Sequence, residues 1–136
     1  AQFRRQRQMC IRDRTRPNNL GVKNGKLAPS PGTPNCVNSQ SSDAQSKIAP
    51  LPMISIADLK KVVQSMERTT IIEETNDYLY AEFKTPLMGY VDDVEFYLDN
   101  SENVVHVRSA SRLGKSDLGL NRKRVEEIRS KIESKN

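Results

Sequence analysis

The stretch VDDVEFYLDNSENVVHVRSASR, residues 91–112, decides the fold of this chain. Apolar and polar residues alternate on both sides of DNSEN, a cluster of turn-forming residues, and this pattern is typical of an antiparallel β-hairpin. Strand side chains alternate between the two faces of a sheet. The first strand therefore has an apolar face, Val94, Phe96 and Leu98, and a polar face, Asp93, Glu95 and Tyr97. One face of the hairpin is expected to join a core and the other to carry charge.

One helix is predicted before this hairpin and another after it. Ser55 and Asp58 form a Ser-x-x-Asp start, in which the hydroxyl accepts a hydrogen bond from a free amide and the carboxylate lies at the positive end of the helix dipole. Apolar residues recur at helical spacing from there to about Glu67, and again between Asn121 and Ile132. Each helix thus has a single apolar stripe.

Residues 69–74 and 78–85 predict a second hairpin, because they are rich in β-branched and aromatic residues. The order is then helix, four strands, helix, and sequential strands are most simply neighbours in a meander. We therefore predict an α+β fold for residues 55–136, a two-layer sandwich of a four-stranded antiparallel meander with both helices on one face.

The chain before the first helix, residues 15–54, is predicted to be irregular because Pro, Gly, Asn and Ser dominate it. Scattered apolar residues indicate a segment that wraps the core, and with the core it makes one domain, residues 15–136. Its sharpest local signal is Asn24-Gly25, which favours a type I′ turn.

The net charge of +5 invites a nucleic-acid hypothesis, and the position of the charge argues against it. Residues 1–14, AQFRRQRQMCIRDR, contain five arginines and one aspartate, so they supply four of the five net charges. This basic arm has no helix or strand period and looks like translated sequencing-adapter sequence, so we interpret it as non-native. The alternative is a native disordered arm that contacts phosphate backbones. We expect a monomer with no nucleic-acid partner and no membrane-spanning segment.

The sequence offers little catalytic or metal-binding chemistry. Cys36 and His106 would make a nucleophile and its base, yet cysteine is commonly buried and a histidine in a hairpin is ordinary. One histidine and one cysteine outside the arm are too few for a zinc site built on such ligands. We predict no metal and no cofactor, and we lean against an enzyme. A cysteine-dependent enzyme using Cys36 is the alternative.

Acidic and basic residues face each other across the central hairpin. We expect Asp92, Asp93 and Glu95 on one strand to lie opposite Arg108 and Arg112 on the other. The simpler interpretation is a cross-strand lattice of ion pairs. The functional interpretation is a surface that recognises an anion or carboxylate through the arginine forks.

The leading functional hypothesis is a non-enzymatic binding or structural accessory domain. Its ligand surface would be the polar sheet face together with the loop from Pro29 to Ser39, in which Asn35 and Cys36 lie. Arg122, at the start of the last helix, would extend this surface. The ligand would be a small anion or a protein.

Three tyrosines, Tyr78, Tyr80 and Tyr97, also fall on the polar face. Aromatic side chains can stack on nucleic-acid bases, but the acidic residues around these tyrosines would repel a phosphate backbone. We therefore expect half-buried tyrosines beneath the Pro-rich segment.

Several motifs in order resemble a known family. They are RPNNLGVKNGKLAPSPGTPNCVNSQSSD (residues 16–43), IAPL (48–51), VDDVEF (91–96) and RSASRLGKSDLGLNRKRVEEIR (108–129). Together they resemble the family named domain of unknown function 1499, from Arg16 to about Ile132. Its members occur in bacteria, including cyanobacteria, and in plastid-bearing eukaryotes, and many carry an N-terminal membrane or export segment. The resemblance implies no particular activity.

The chain departs from this family at one cysteine. Family members often read Cys-Pro-x-Ser-Pro-Asn-Cys here, whereas this chain has Ser30 at the first position and keeps Cys36 at the last. A disulfide or redox couple formed by that pair in relatives cannot form here. This favours either a reducing compartment, such as the cytoplasm or plastid stroma, or a role for Cys36 that needs no partner. If residues 1–14 are non-native, we expect that the natural start is missing and that any export or anchor segment was lost with it.

Overall fold

The computed structural model describes residues 16–30, 35–86, 89–112 and 119–134. The predicted arm, residues 1–14, lies outside this part of the chain, as do residues 31–34 of the loop from Pro29 to Ser39. The described residues contain six strands and two helices. They are β1 (Cys36–Asn38), β2 (Leu51–Pro52), α1 (Ile56–Gln64), β3 (Thr69–Glu74), β4 (Tyr78–Lys84), β5 (Val91–Asp99), β6 (Val104–Ser111) and α2 (Leu120–Ser134).

Helix α1 begins as the sequence predicts, because the Ser55 side chain accepts a hydrogen bond from the Asp58 amide at 3.2 Å. It ends at Gln64, before the predicted end at Glu67. The chain leaves the helix at Ser65, and Arg68 adopts a positive φ of 56° that turns it into β3. In the described part of the chain, neither helix is long and apolar enough to cross a membrane.

The four predicted strands are present within a larger antiparallel sheet. β3, β4, β5 and β6 pair antiparallel in sequence order, and the central hairpin places Glu95 opposite Arg108 and Phe96 opposite Val107. The β3–β4 ladder shifts register between Ile71 and Glu73, as a β-bulge does. The alternation of the central hairpin therefore sets which side chains reach each face.

The sheet has six strands and not the four predicted. β1 and β2 both pair antiparallel with β6, with Cys36 opposite Ala110 and Leu51 opposite Val105. Both strands come from the segment that was predicted to be irregular. They are three and two residues long, and they supply hydrogen-bonding partners to the backbone groups along the outer edge of β6.

Both helices pack on the same face of the sheet, as predicted for an α+β fold. Leu59 and Val63 of α1 and Ile128 of α2 form one core with Phe96 and Val107, and all five are fully buried. Burial of each such side chain contributes about 1.5–3 kcal/mol to stability. The helices therefore leave the other face of the sheet to the polar side chains.

Candidate functional site

The face of the sheet opposite the helices carries a layer of tyrosines, carboxylates and arginines that we call the polar face. Its members are Tyr78, Tyr80, Glu82, Asp93, Glu95, Arg108 and Arg112. Antiparallel register places Glu82 opposite Asp93, and Glu95 between Tyr80 and Arg108. The structure thus brings Asp93 and Glu95 together with the two arginines named from the sequence.

Arg112 is the centre of one half of the polar face. Its Nε donates to Asp93 Oδ2 at 2.9 Å, and its Nη2 donates to Asp93 Oδ1 at 2.9 Å and to Glu82 Oε2 at 2.7 Å. The Arg112 side chain is 3% exposed. Burial alone would lower the pKa of Arg112, but the hydrogen bonds to Asp93 outweigh it and raise that pKa. The guanidinium is therefore charged and its fork is held by the protein's own carboxylates.

Glu95 is the centre of the other half. Its carboxylate is fully buried, and Oε2 accepts hydrogen bonds from the Tyr78 hydroxyl at 2.6 Å and the Gly21 amide at 2.7 Å. Oε1 lies 3.6 Å from Nη1 of Arg108. Burial raises the pKa of Glu95 above its ordinary value, and the hydrogen bonds from Tyr78 and Gly21 offset this only in part. Glu95 is thus a buried acid, and one of its hydrogen-bond donors, the Gly21 amide, lies 74 residues away in the chain.

Residues 16–30 lie over the polar face. Leu27 is 4% exposed and packs with Tyr78 and Tyr80. Near the start of this segment, Arg16 Nε donates to Glu82 Oε2 at 2.7 Å. The two tyrosines are fully buried, more than the half-burial expected from the sequence. The polar face is therefore covered, and its arginines are not open to solvent.

The covering segment contains the predicted Asn-Gly turn. Asn24 and Gly25 have φ values of 55° and 74°, and both must be positive in a type I′ turn. The backbones of Lys23 and Lys26 exchange hydrogen bonds of 2.8 and 3.1 Å across it. The prediction of this turn is confirmed, and the turn holds the two lysine backbones opposite each other.

A cavity of about 540 Å³ lies between residues 19–30 and residues 38–43. Amide side chains join its two walls: Asn38 Nδ2 donates to Ala28 O at 2.8 Å, and Gln40 Oε1 accepts from Leu27 N at 2.9 Å. Asn38 is itself almost fully buried on β1. The cavity is therefore built by the same segment that covers the polar face, and its walls are tied to the sheet. No single motif in the sequence indicates it.

Asn35 and Cys36 lie on the outer edge of β6, where they have structural contacts. Asn35 Nδ2 donates to Ser111 O at 3.1 Å, and Asn35 O accepts from Ser111 N at 2.9 Å and from Asn121 Nδ2 at 3.0 Å. Cys36 is 2% exposed and pairs with Ala110. Neither residue lines the cavity.

Asp92 does not belong to the polar face, contrary to the expectation that it lies opposite Arg108 and Arg112. It points to the helix side, where its Oδ2 lies 2.8 Å from Nη2 of Arg124. The period-two alternation places Asp92 with Val94 and not with Asp93, so the signal for this was present in the sequence. Sequence reasoning missed Arg124 as its partner.

Arg122 also lies away from the polar face. It belongs to α2, and its Nη2 donates to Gln45 O at 3.1 Å. This hydrogen bond connects α2 to the loop that follows β1. The structure therefore does not bring Arg122 to the surface that it was predicted to extend.

Cys36 and His106 do not form a nucleophile and base. Cys36 pairs with Ala110, which is four residues along β6 from His106, so the two side chains are separated by about 13 Å along the strand. His106 Nδ1 lies instead 2.9 Å from Ser39 Oγ. His106 is therefore too far from Cys36 to act as the base that the hypothesis of a cysteine-dependent enzyme assigned to it.

The buried carboxylate of Glu95 predicts an unusual pH dependence of stability. Because burial raises its pKa in the folded protein, the folded state binds more protons than the unfolded state between the two pKa values. Stability from this group is therefore fully present below its unfolded pKa and is lost as pH rises through the folded pKa. Glu95→Gln removes the titration. The free energy of unfolding of the natural chain minus that of Glu95→Gln should fall as pH rises from below about 4.3, the ordinary value for glutamate.

Urea unfolding of both chains across a pH series measures this difference. Glu82→Gln is the matched comparison, because Glu82 is a carboxylate of the same face with a shift in the opposite direction. Burial acts to raise its pKa, and the hydrogen bonds from Arg16 and Arg112 more than reverse this. The free energy of unfolding of the natural chain minus that of Glu82→Gln should therefore rise with pH. If both differences changed with pH in the same direction, the claim that burial raises the pKa of Glu95 would be wrong.

The fold and the site define a class of protein, namely a small α+β domain with a covered polar face and a cavity beside it. Within that class, a family model described as "Protein of unknown function (DUF1499)" matches residues 26–132. The chain belongs to this family, in agreement with the resemblance seen in its sequence. No curated protein and no solved structure matched the chain. The polar face and the cavity must therefore be interpreted from their own chemistry.

Proposed function

We propose that this protein is a non-enzymatic binding domain whose ligand site is the cavity between residues 19–30 and 38–43. The observation that carries the proposal is a cavity of about 540 Å³ whose two walls are joined by the side chains of Asn38 and Gln40. Binding sites for small molecules are commonly preformed and have volumes of about 300–1,000 Å³. Walls fixed before binding reduce the entropy lost when a ligand is held.

The polar face then acts as the support of this site. Arg108 and Arg112 are engaged by carboxylates and covered, so they are poor candidates for direct contact with a ligand. Their partners Glu95 and Glu82 bind Gly21 and Arg16, which belong to the segment that forms one cavity wall. The proposed ligand surface therefore leaves out the arginines and keeps the described part of the Pro29–Ser39 loop. Pro29, Ser30 and Asn38 line the cavity.

The lining of the cavity supports a small anionic ligand. Lys23 and Lys26 supply two positive charges against the single carboxylate of Asp43. Both lysines are exposed, and an ammonium group on a flexible stem binds phosphate or carboxylate as a point charge. The hydroxyl groups of Ser30 and Ser41 are also in the lining and are suited to a polar ligand.

Removing a lysine of the cavity should weaken anion binding. We expect Lys26→Ala and Lys23→Ala each to lower the affinity for the bound anion about tenfold, which corresponds to about 1.4 kcal/mol. The probes are inorganic phosphate, pyrophosphate, citrate and a set of sugar phosphates, screened by thermal shift and measured by isothermal titration calorimetry. The control is Lys61→Ala, which removes an exposed lysine from α1 on the other side of the sheet.

Equal affinities for Lys61→Ala and Lys26→Ala would show that any binding is general attraction to a basic protein. Failure of every probe to bind the natural chain would refute a small-anion site. The structural accessory role would then be favoured, with a protein as the ligand to be sought.

A further inference from the structure

A second cluster of polar side chains lies at the turn between β5 and β6, apart from the cavity. Asp99 is the last residue of β5, Glu102 is in the turn, and His106 is in β6. His106 Nε2 lies 3.3 Å from Glu102 Oε2 and 3.6 Å from Asp99 Oδ2. One ligand atom from each of the three residues falls within 4.8 Å of the other two. The turn and β6 thus bring a nitrogen and two carboxylate oxygens close together.

The groups around this cluster hold two of its three members in place. Asp99 Oδ1 accepts hydrogen bonds from the Ser101 amide at 2.9 Å, the Ser101 hydroxyl at 2.6 Å and the Glu102 amide at 3.2 Å. These bonds fix the carboxylate with Oδ2 facing His106. On the other side of the ring, His106 Nδ1 lies 2.9 Å from Ser39 Oγ. Ligands of metal ions are commonly fixed by such outer hydrogen bonds.

The imidazole nitrogen that faces the carboxylates makes no hydrogen bond with the described residues, although His106 is only 4% exposed. Buried polar atoms in native proteins almost always have a partner. If the ring proton is on Nδ1 and is donated to Ser39, Nε2 presents a lone pair to two carboxylate oxygens. A cation between the three atoms would satisfy them all.

We propose that Asp99, Glu102 and His106 bind a divalent transition metal ion of the Zn²⁺ type. Ligand bonds to zinc of about 2.0–2.1 Å in a tetrahedral site place neighbouring ligand atoms about 3.3–3.4 Å apart. The separations of 3.3 and 3.6 Å from His106 Nε2 are close to this spacing, and the two carboxylate oxygens lie within 4.8 Å of each other. A mixed set of imidazole and carboxylates suits first-row metals of this kind. Three protein ligands leave a fourth position open to water or a ligand.

The prediction of no metal considered only histidine and cysteine as ligands. Carboxylate oxygens also bind zinc, and the turn from Asp99 to Asn103 brings two of them to the single histidine. The Glu102 side chain is 63% exposed, so an ion has a route to the site from solvent.

The test uses the full chain without a polyhistidine tag, titrated with Zn²⁺. We expect one ion to bind, and we expect the imidazole signals in an NMR spectrum to shift on addition of one equivalent. The chain has one histidine, so these signals belong to His106 without ambiguity. Glu102→Gln should lower the Zn²⁺ affinity at least tenfold. Because that side chain is exposed, the variant should fold normally.

Glu67→Gln is the matched control, since its side chain is also exposed, at 82%, and lies elsewhere. It should bind Zn²⁺ like the natural chain. The proposal is overturned if the imidazole signals do not respond to Zn²⁺, or if Glu102→Gln binds as tightly as the control. A thiolate charge-transfer band in the Co²⁺ form would assign the ion to a cysteine and would also overturn it.

Discussion

Arg112→Ala is expected to lower the free energy of unfolding by about 3–5 kcal/mol, the range for removing one partner of a buried ion pair. The guanidinium holds Asp93 with two hydrogen bonds and Glu82 with a third. Asp93 is 1% exposed, so its carboxylate would stay buried without a counter-ion. Most of the lost stability comes from leaving the Asp93 carboxylate charged and buried, and less comes from the lost attraction between Arg112 and Asp93. Equilibrium unfolding in urea measures it.

Two variants with smaller expected losses serve as comparisons. Lys60→Ala breaks an ion pair with Glu74 in which both side chains are about one-third exposed, and it should cost about 0.2–1 kcal/mol. Asp93→Asn keeps the shape but removes the charge, and it should cost about 1–3 kcal/mol. A loss below about 1 kcal/mol for Arg112→Ala would place it with exposed ion pairs. The polar face would then be open to water.

Leu27→Ala is the second change with a large expected effect, about 2–5 kcal/mol by analogy with other buried leucines. Leu27 is the buried anchor of residues 16–30, and it packs with Tyr78 and Tyr80 on the polar face. Its backbone amide also bonds Gln40 across the cavity. Truncation leaves a gap between the segment and the sheet, so both the covering of the polar face and the cavity wall should weaken.

Urea unfolding measures the global loss, and amide hydrogen exchange at Gly21 measures the local one. The Gly21 amide donates to Glu95, so it should exchange faster in Leu27→Ala than in the natural chain. Val22→Ala is the control because Val22 is only partly buried in the same cluster, and its effect should be smaller. Unchanged exchange at Gly21 in Leu27→Ala would mean that the segment is held by its polar contacts alone.

The parts of the fold that the sequence predicts are those with a repeated local signal. The central hairpin shows clear period-two alternation, Ser55 and Asp58 mark a helix start, and Asn24-Gly25 marks a turn. Each of these signals depends on residues close together in the chain. The structure has all three where they were predicted.

The features that could not be predicted depend on contacts between distant residues. β1 and β2 are too short to show a period, and their partner β6 follows more than fifty residues later. The same holds for the candidate site. The hydrogen bond from Gly21 to Glu95 joins residues 74 positions apart, and no pattern near either residue indicates it. Sequence reasoning therefore identified the charged residues of the polar face and a segment to cover them, but not which backbone group bonds which carboxylate.

The outer strand β3 has a consequence for the behaviour of the protein in a crowded solution. It is an edge of the sheet, its ladder is interrupted between Ile71 and Glu73, and Glu73 and Glu74 are exposed at its end. A strand from a second molecule that tried to extend the sheet here would meet offset backbone groups and negative charge. Aggregation that begins by edge-to-edge pairing is therefore opposed at β3, while at the other edge β1 and β2 occupy the backbone of β6.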